Sequence, residues 1–271
     1  VAIKYAMRTG ISSGSEVTNK LGMTYLGGIA ELGSTLKGKK KNQMKLWDYI
    51  EANPMSVFAE HYKILLTAIS FSKVRETKRV IAITSAIPGE GKTTTSICLA
   101  KTINMAGQSV IVVDCDMRRR SVSVSMGGNF DKGLVEVLEG INTLDEALYD
   151  GGHGVMYLPI STNPLPSENL FGSNEMTQLL EELKRRFDVA PVLPIVDTRI
   201  LAHKADVVVV LAKWNDTPLG ATQTAIDILL NDGVDNIAGV ALTLIDLKKQ
   251  SVSAGIGSEY YYNSYKSYYT K

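Results

Sequence analysis

The chain has 271 residues, a formal net charge of +1 at pH 7, 45% hydrophobic residues and 21% charged residues. This composition is typical of a globular protein with a buried core, and the near-zero charge argues against a general nucleic-acid binder. The sequence contains no run of roughly eighteen apolar residues that would predict a transmembrane span. Only two cysteines occur, Cys98 and Cys115, both in predicted core elements, which indicates reduced thiols in a cytosolic compartment.

The amino-terminal residues 1–46 are predicted to be an extension that precedes a main domain at 47–250. Within the extension we predict a loop with a helix cap over 10–16, a short helix over 16–21 and a short strand or turn over 25–29. The basic run at 37–41 is either a solvated loop or a contact with an anionic membrane. Residues 55–70 have the apolar spacing of a helix, on which His61 is expected to be partly buried and hydrogen-bonded, not a ligand.

The segment 80–120 carries the strongest functional signal. An apolar run ending at Ser85 is followed by Ala-Ile-Pro-Gly-Glu-Gly-Lys-Thr at 86–93 and by a helical segment. The two glycines let backbone N–H groups turn toward an anion, the lysine adds a charge near the outer phosphates, and the threonine hydroxyl can bind Mg²⁺. The pattern GxxxxGK[ST] is met except at its first position, Ala86, and the alternative is a glycine-rich turn before an ordinary helix. The predicted nucleotide-binding residues of this loop are Gly89, Glu90, Gly91, Lys92, Thr93 and Thr94.

A second apolar run at 109–113 ends in two carboxylates that lie two residues apart, Asp114 and Asp116. On an extended chain, alternate residues point to the same side, so both carboxylates can face one metal-bound phosphate site. We predict Thr93 and Asp114 as metal ligands, and Lys92, Asp114 and Asp116 as catalytic residues. The alternative is that Asp114 caps a strand and starts a turn.

The rest of the chain alternates between predicted helices and strands. Helices are expected over 133–138, 144–148, 176–187 and 222–230, and strands over 155–158, 207–211 and 237–244. This alternation predicts an α/β fold of the P-loop NTPase type, with a mostly parallel sheet covered by helices on both faces.

The loop and the following pattern φφφ-Asp-x-Asp-x-Arg resemble those of the bacterial tyrosine kinases (BY-kinases), the P-loop proteins that form the cytoplasmic part of polysaccharide co-polymerases. Segments at 133–140, 147–148, 158–159 and 163–168, and a terminal tyrosine cluster, recur in that order in the family. The resemblance covers most of the chain. It implies ATP and Mg²⁺ as cofactors and autophosphorylation on tyrosine, with Asp114 or Asp116 as the proton acceptor. Arg118 matches the family motif and is assigned to the cofactor site or to contact with a neighbouring protomer.

The resemblance further implies partners and a location. It predicts a juxtamembrane role for residues 1–46 and a position on the cytoplasmic face of the bacterial inner membrane. The implied partners are other protomers in a ring-like oligomer, the membrane-spanning portion of the co-polymerase, and a tyrosine phosphatase. The implied process is capsule or exopolysaccharide synthesis and export, without nucleic acid.

The carboxy-terminal residues 251–271 are predicted to be a flexible tail. Serines and glycines lead into a cluster of tyrosines without apolar periodicity, as in a tether that could deliver a phenol to a neighbouring active site. The alternative is an aromatic tail that packs on the domain or on a partner. The predicted phosphoacceptors are Tyr260, Tyr261, Tyr262, Tyr265, Tyr268 and Tyr269.

The chain departs from the family pattern at three places. A Glu-x-x-Arg-x-x-Arg helix builds the family's ring, whereas this chain has Glu60, Lys63 and Leu66, which cannot form the same ion pairs. Thr243 and Leu244 stand where relatives commonly have an Asn that approaches the nucleobase.

The third departure is at 187–192, where the family has a strand ending in a metal-site Asp. Here the segment is too short for a buried central strand. We therefore expect several residues, including that Asp, to be missing between Val189 and Ala190. Asp197 is expected to cap the helix that follows, not to replace the missing carboxylate.

Three functions remain open from the sequence. The first is an autophosphorylating tyrosine kinase of polysaccharide export. The second is a positioning ATPase of the Min or Par type, although those proteins carry a second lysine that would fall at Ile87. The third is a non-catalytic, nucleotide-gated scaffold whose tail binds an assembly partner.

Overall fold

The continuous apolar runs of the sequence form the strands of one sheet. The computed structural model describes residues 10–36, 44–72, 79–152, 154–164, 170–194 and 198–253, and in this part of the chain eight strands lie in the order β1-β8-β7-β2-β6-β3-β5-β4. All neighbouring strands are parallel except β4, which is antiparallel to β5. The strands are β1 (Tyr25–Ala30), β2 (Arg79–Ser85), β3 (Val110–Cys115), β4 (Tyr149–Asp150), β5 (Val155–Leu158), β6 (Val189–Pro194), β7 (Val207–Lys213) and β8 (Ile237–Ile245).

Helices cover both faces of the sheet, which confirms the predicted fold class. They are α1 (Gly14–Leu21), α2 (Leu32–Thr35), α3 (Leu46–Ala52), α4 (Val57–Ser70), α5 (Lys92–Met105), α6 (Ser121–Ser125), α7 (Leu134–Leu138), α8 (Leu144–Ala147), α9 (Asn174–Arg186), α10 (Thr198–Lys204), α11 (Leu219–Asn231) and α12 (Leu247–Ser253), with a 3₁₀ turn at Leu170–Gly172. The helices and strands predicted between residues 133 and 244 are all present, with ends shifted by at most three residues. None of the helices in the described ranges combines the length and apolar character needed to cross a bilayer.

Alternating side chains divide the core into two layers. On β2, Ile81 and Ile83 pack with α3, α4 and α5, whereas Val80 and Ala82 pack with α7, α9, α10 and α11 on the opposite face. A strand buried on both faces requires apolar residues at every position, which explains why these runs show no polar alternation.

The amino-terminal extension is hydrogen-bonded to the same sheet. Its strand β1 pairs in parallel with β8 and forms one edge. The segment before α1 contacts the loop that follows β7: the Ile11 amide donates to the Thr217 carbonyl at 3.0 Å, and the Trp214 indole donates to the Ser12 carbonyl at 2.8 Å. The described part of the extension therefore packs as part of the main fold. The basic run at 37–41 lies outside the described residues.

Helix α4 is the one predicted over 55–70, and the side chains named there are engaged within the chain. Glu60 pairs with Lys63 at 3.4 Å, and Lys63 also donates to the Pro54 carbonyl at 2.9 Å. His61 accepts from the Ala30 amide through Nδ1, and burial lowers the pKa of its imidazole to about 4. The ring is therefore neutral near pH 7, as an acceptor requires, in agreement with the prediction of a hydrogen-bonded histidine.

The prediction that residues 187–192 are too short for a central strand is wrong. Strand β6 runs from Val189 to Pro194 and lies between β2 and β3, with Val192 aligned with Ala82 on one side and Val113 on the other. Pro191 lies inside the strand, and the four residues 191–194 supply the missing length. The strand ends in proline, so no carboxylate follows directly at this position, and Asp197 lies outside the described residues.

The placement of β6 can be tested by shortening one buried side chain. Val192 is 0% exposed, so Val192→Ala should lower the free energy of unfolding by about 2 kcal/mol through lost burial and a residual cavity. The matched control is Val124→Ala on α6, where the side chain is 60% exposed and the change should stay within about 0.5 kcal/mol. Urea unfolding measures both. Equal small effects would contradict a central β6.

Candidate nucleotide and metal site

The phosphate loop spans residues 86–91, between the end of β2 and the start of α5. Gly89 and Gly91 have φ values of 84° and 86°, in the left-handed region that side-chain-bearing residues avoid. Gly91 is also the residue before the helix, and its carbonyl accepts the Thr95 amide at 2.8 Å. The loop therefore leads directly into a helix amino terminus, whose free N–H groups and dipole favour an anion.

Lys92 is the first residue of α5 and is only 9% exposed. Its ammonium donates to Ser85 Oγ at 2.6 Å and to the Ile87 carbonyl at 3.4 Å, and both partners are neutral oxygens. Burial lowers the pKa of Lys92, while the charges of Glu90 and Asp116 raise it and that of Arg119 lowers it. Among the described residues, no carboxylate lies within ion-pair distance of this group. A buried ammonium without a bonded anion is suited to bind a phosphate oxygen.

Asp114 is the fifth residue of β3 and is fully buried. Its Oδ1 accepts the Asp116 amide at 3.1 Å, and its Oδ2 accepts the amide and the hydroxyl of Ser123 at 2.8 and 2.7 Å. Burial raises the pKa of the Asp114 carboxyl, the Ser123 hydrogen bonds oppose that rise, and the charge of Asp116 adds to it. Each carboxylate oxygen can accept two bonds, so Oδ1 retains one position for a cation or its water.

Asp116 is held by the turn after β3. Its carboxylate accepts the Arg119 amide at 3.0 Å and the Ser121 hydroxyl, and the residue is 1% exposed. Its charge acts on Lys92, so the loop and the second carboxylate lie close together, as the spacing predicts.

The residues present fit a nucleotide with Mg²⁺. Thr93 and Thr94 are half-buried in the first turn of α5, where the motif places the metal-binding hydroxyl. Among the described residues, no group of three or more His, Cys, Asp or Glu side chains is arranged to hold a metal by itself. A hard cation that takes most of its ligands from phosphate and water, with one hydroxyl and one carboxylate from the protein, is compatible with that arrangement.

Two serines that the sequence analysis did not assign support the two carboxylates. Ser121 and Ser123 bind them directly, as described above. The side chain of Arg120, in the turn after these carboxylates, donates to three main-chain carbonyls: Ile160 at 3.3 Å, Thr162 at 3.1 Å and Gly128 at 3.0 Å. In the sequence, the one sign of this support is that Ser121 and Ser123 lie two residues apart, the same spacing as the two carboxylates. Arg118 and Arg119 are exposed.

The Glu90 carboxylate does not face the predicted phosphate position. It is 1% exposed and accepts hydrogen bonds from the Ile87 amide at 2.7 Å, the Lys213 amide at 3.2 Å and the Thr217 hydroxyl. Thr243 donates its hydroxyl to the Glu90 carbonyl at 2.8 Å. Both side chains are therefore bonded to protein groups around the loop. The tyrosines of the tail lie outside the described residues.

The lowered pKa of Lys92 predicts how nucleotide binding depends on pH. A bound phosphate would raise this pKa, so binding takes up a proton at any pH between the values for the free and bound states. Affinity for Mg·ADP should therefore fall as pH rises through that window, by up to about tenfold per pH unit. Calorimetric titrations from neutral to alkaline pH measure this slope. Lys92→Arg keeps its charge and should flatten the profile, whereas an unchanged slope in that variant would contradict the assignment.

Comparisons with known proteins show which family the chain is similar to. Residues 78–223 match the family model described as an AAA domain. The chain is 30% identical over 196 residues to the tyrosine-protein kinase CpsD of Streptococcus pneumoniae serotype 4, covering 69% of this chain and 85% of CpsD. It is 24% identical over 270 residues to the putative tyrosine-protein kinase EpsB of Ralstonia solanacearum, covering 95% of this chain and 35% of EpsB. This chain thus spans about a third of the length of EpsB.

Solved structures agree on the fold. The kinase domain of the Escherichia coli tyrosine kinase ETK superposes with a TM-score of 0.74 at 22% identity, over 87% of this chain and 95% of that one. A looser likeness, with a TM-score of 0.50 at 22% identity over 61% of this chain and 70% of the other, extends to MinD of Pyrococcus horikoshii, solved with Mg-ADP. At these identities the likeness shows a shared fold alone.

Proposed function

We propose that this chain, which belongs to the bacterial tyrosine kinase family of P-loop proteins, transfers the γ-phosphate of ATP to tyrosine hydroxyls. The single observation that carries the proposal is the buried ammonium of Lys92, which has no bonded anion and lies within electrostatic reach of Asp116. A triphosphate supplies the missing anion, and a carboxylate beside it can take up a proton.

The proposed reaction is an in-line phosphoryl transfer. The phenol oxygen forms a bond to the γ-phosphorus as the bond to the β,γ-bridging oxygen breaks, ADP leaves, and the phenol proton passes to a carboxylate. Lys92 and the loop amides neutralise charge spread over the transferring group, and Mg²⁺ held by Thr93 and Asp114 would add to that neutralisation when bound. We assign Thr93 and Asp114 to the metal and Asp116 to the proton. Arg118 is exposed and could contact the nucleotide or a second protomer.

The proposed acceptors are the six tyrosines of the tail, delivered from a neighbouring protomer. A tethered phenol has a high effective concentration at a nearby site, and each phosphate adds up to about two negative charges that would repel the tail from the site. A phosphatase would then be needed to restore the starting state. From the resemblance to the bacterial tyrosine kinases, we further propose a role in exopolysaccharide or capsule synthesis at the cytoplasmic face of the inner membrane, next to a membrane-spanning co-polymerase portion.

Two other functions share the nucleotide site. A positioning ATPase is supported by the looser likeness to MinD, but the position of the second lysine of such ATPases is occupied by Ile87. A nucleotide-gated scaffold would bind ATP without transferring phosphate. Formation of phosphotyrosine is expected of the kinase alone, so it distinguishes the kinase from the positioning ATPase and the scaffold.

The test is phosphotyrosine mapping by mass spectrometry after incubation with Mg·ATP. Phosphate is expected on tyrosines within 260–269, and Lys92→Met should reduce it at least a hundredfold because the transferring group loses its charge partner. Lys20→Met, on the exposed surface of α1, is the matched control and should leave phosphorylation unchanged. Bound nucleotide without phosphotyrosine in the unmutated chain would favour the ATPase or the scaffold.

A further inference from the structure

Glu90 is a buried carboxylate inside the phosphate loop that the proposed chemistry does not use. It is 1% exposed, and it has no cation among its hydrogen-bond partners. The negative charge of Glu90 beside the negatively charged phosphates would by itself weaken nucleotide binding. The position therefore needs a reason other than contact with the nucleotide.

The carboxylate joins two separate parts of the fold. Oε2 accepts the amide of Ile87, within the phosphate loop, at 2.7 Å. Oε1 accepts the amide of Lys213, at the end of β7, at 3.2 Å and the hydroxyl of Thr217 in the loop before α11. Each of these three groups donates to the Glu90 carboxylate.

The far end of this connection is itself fixed. Thr217 is fully buried, its amide donates to the Lys213 carbonyl at 3.0 Å, and its carbonyl accepts the Ile11 amide at 3.0 Å. The main-chain carbonyl of Glu90 accepts the Thr243 hydroxyl of β8 at 2.8 Å. Glu90 is thus bonded to the ends of two neighbouring strands.

We propose that Glu90 is a positioning residue whose carboxylate, held by Thr217 and the end of β7, fixes the phosphate loop in its nucleotide-binding conformation. Lys92 follows two residues later, and the carbonyl and amide of Ile87 bond Lys92 and Glu90 respectively. We call the three hydrogen bonds that the Glu90 carboxylate accepts the clamp. Loss of the clamp would free the Ile87 peptide, whose carbonyl is one of the two groups that orient the Lys92 ammonium. Nucleotide binding would then have to order the phosphate loop, and the entropy cost of that ordering lowers the affinity. The inference rests on the proposed function only in that the loop binds a nucleotide.

The clamp and a purely electrostatic effect of Glu90 predict opposite results. At a pH where Lys92 remains protonated in both forms, Glu90→Gln removes a negative charge beside the phosphates, so electrostatics alone predicts tighter Mg·ADP binding. The clamp predicts weaker binding, because the amide NH₂ must face one of the donors. Thr217→Val leaves the charge in place and removes one donor, so electrostatics alone predicts no change.

The experiment is calorimetric titration of the full chain with Mg·ADP. Glu90→Gln and Thr217→Val should each raise Kd by roughly tenfold. The double variant should raise it by much less than the product of the two, because both changes break the same connection. Thr217→Ser keeps the hydroxyl and should restore binding. Glu182→Gln on α9 and Thr224→Val on α11, both at the surface, are the matched controls and should leave Kd unchanged.

Hydrogen exchange of the Ile87 amide gives a second readout that remains interpretable if a variant is less stable. Faster exchange at Ile87 relative to the core amides of β2 is expected in both variants that break the clamp. Unchanged or lower Kd in Glu90→Gln, together with unchanged Kd in Thr217→Val, would overturn the proposal. Because the measurement is binding, a chain that binds Mg·ADP but makes no phosphotyrosine would refute the kinase assignment and leave the result for Glu90 intact.

Discussion

The buried ammonium of Lys92 is the constraint around which the rest of the site is built. A charge removed from water without a bonded counter-ion is costly, and here the direct partners are one hydroxyl and one carbonyl. The structure tolerates this because carboxylate charges lie nearby, at Glu90 and Asp116. A bound anion would give Lys92 the directly bonded negative partner that it lacks, and the phosphates of a nucleoside triphosphate are suited to that role.

The strand order explains how the loop and the carboxylates meet. Strands β2 and β3 are separated by β6, and all three are parallel, so their carboxyl ends lie at one edge of the sheet. The loop after β2 and the carboxylates after β3 are therefore brought together by topology, over a short gap that β6 fills. Ligands bind at the carboxyl ends of strands in open α/β sheets for this reason. In this chain β6 ends in Pro194, so its contribution to the site differs from that of a strand ending in a carboxylate.

Most of the fold and the center of the site could be predicted from the sequence. The apolar runs, the glycine pattern and the Asp-x-Asp spacing are local signals, and each corresponds to a single element or turn in the structure. β6 was missed because comparison of the segment at 187–192 with the family's strand and metal-site Asp leaves it too short for a central strand. Pro191 lies inside this central strand, in register with Ile81 of β2, although proline has no backbone N–H group to donate to a neighbouring strand. Local composition cannot show which strand positions can do without a donor.

The support of the site was also beyond reach of the sequence. The hydroxyls of Ser121 and Ser123, the three carbonyls bound by Arg120, and the partners of Glu90 come from segments up to 127 residues apart. A sequence pattern identifies Glu90 as part of a phosphate loop, but only the packing of β7 against β2 reveals that its carboxylate points toward protein donors.

If residues 86–94 and the turn after β3 form one nucleotide site, a bound nucleotide protects both segments. Hydrogen–deuterium exchange with and without a slowly hydrolysed Mg·ATP analogue measures this. Nucleotide should slow exchange in peptides covering 86–94 and 114–123, and Lys92→Met should abolish this protection. Protection confined to other segments, or equal protection in Lys92→Met, would contradict a single nucleotide site.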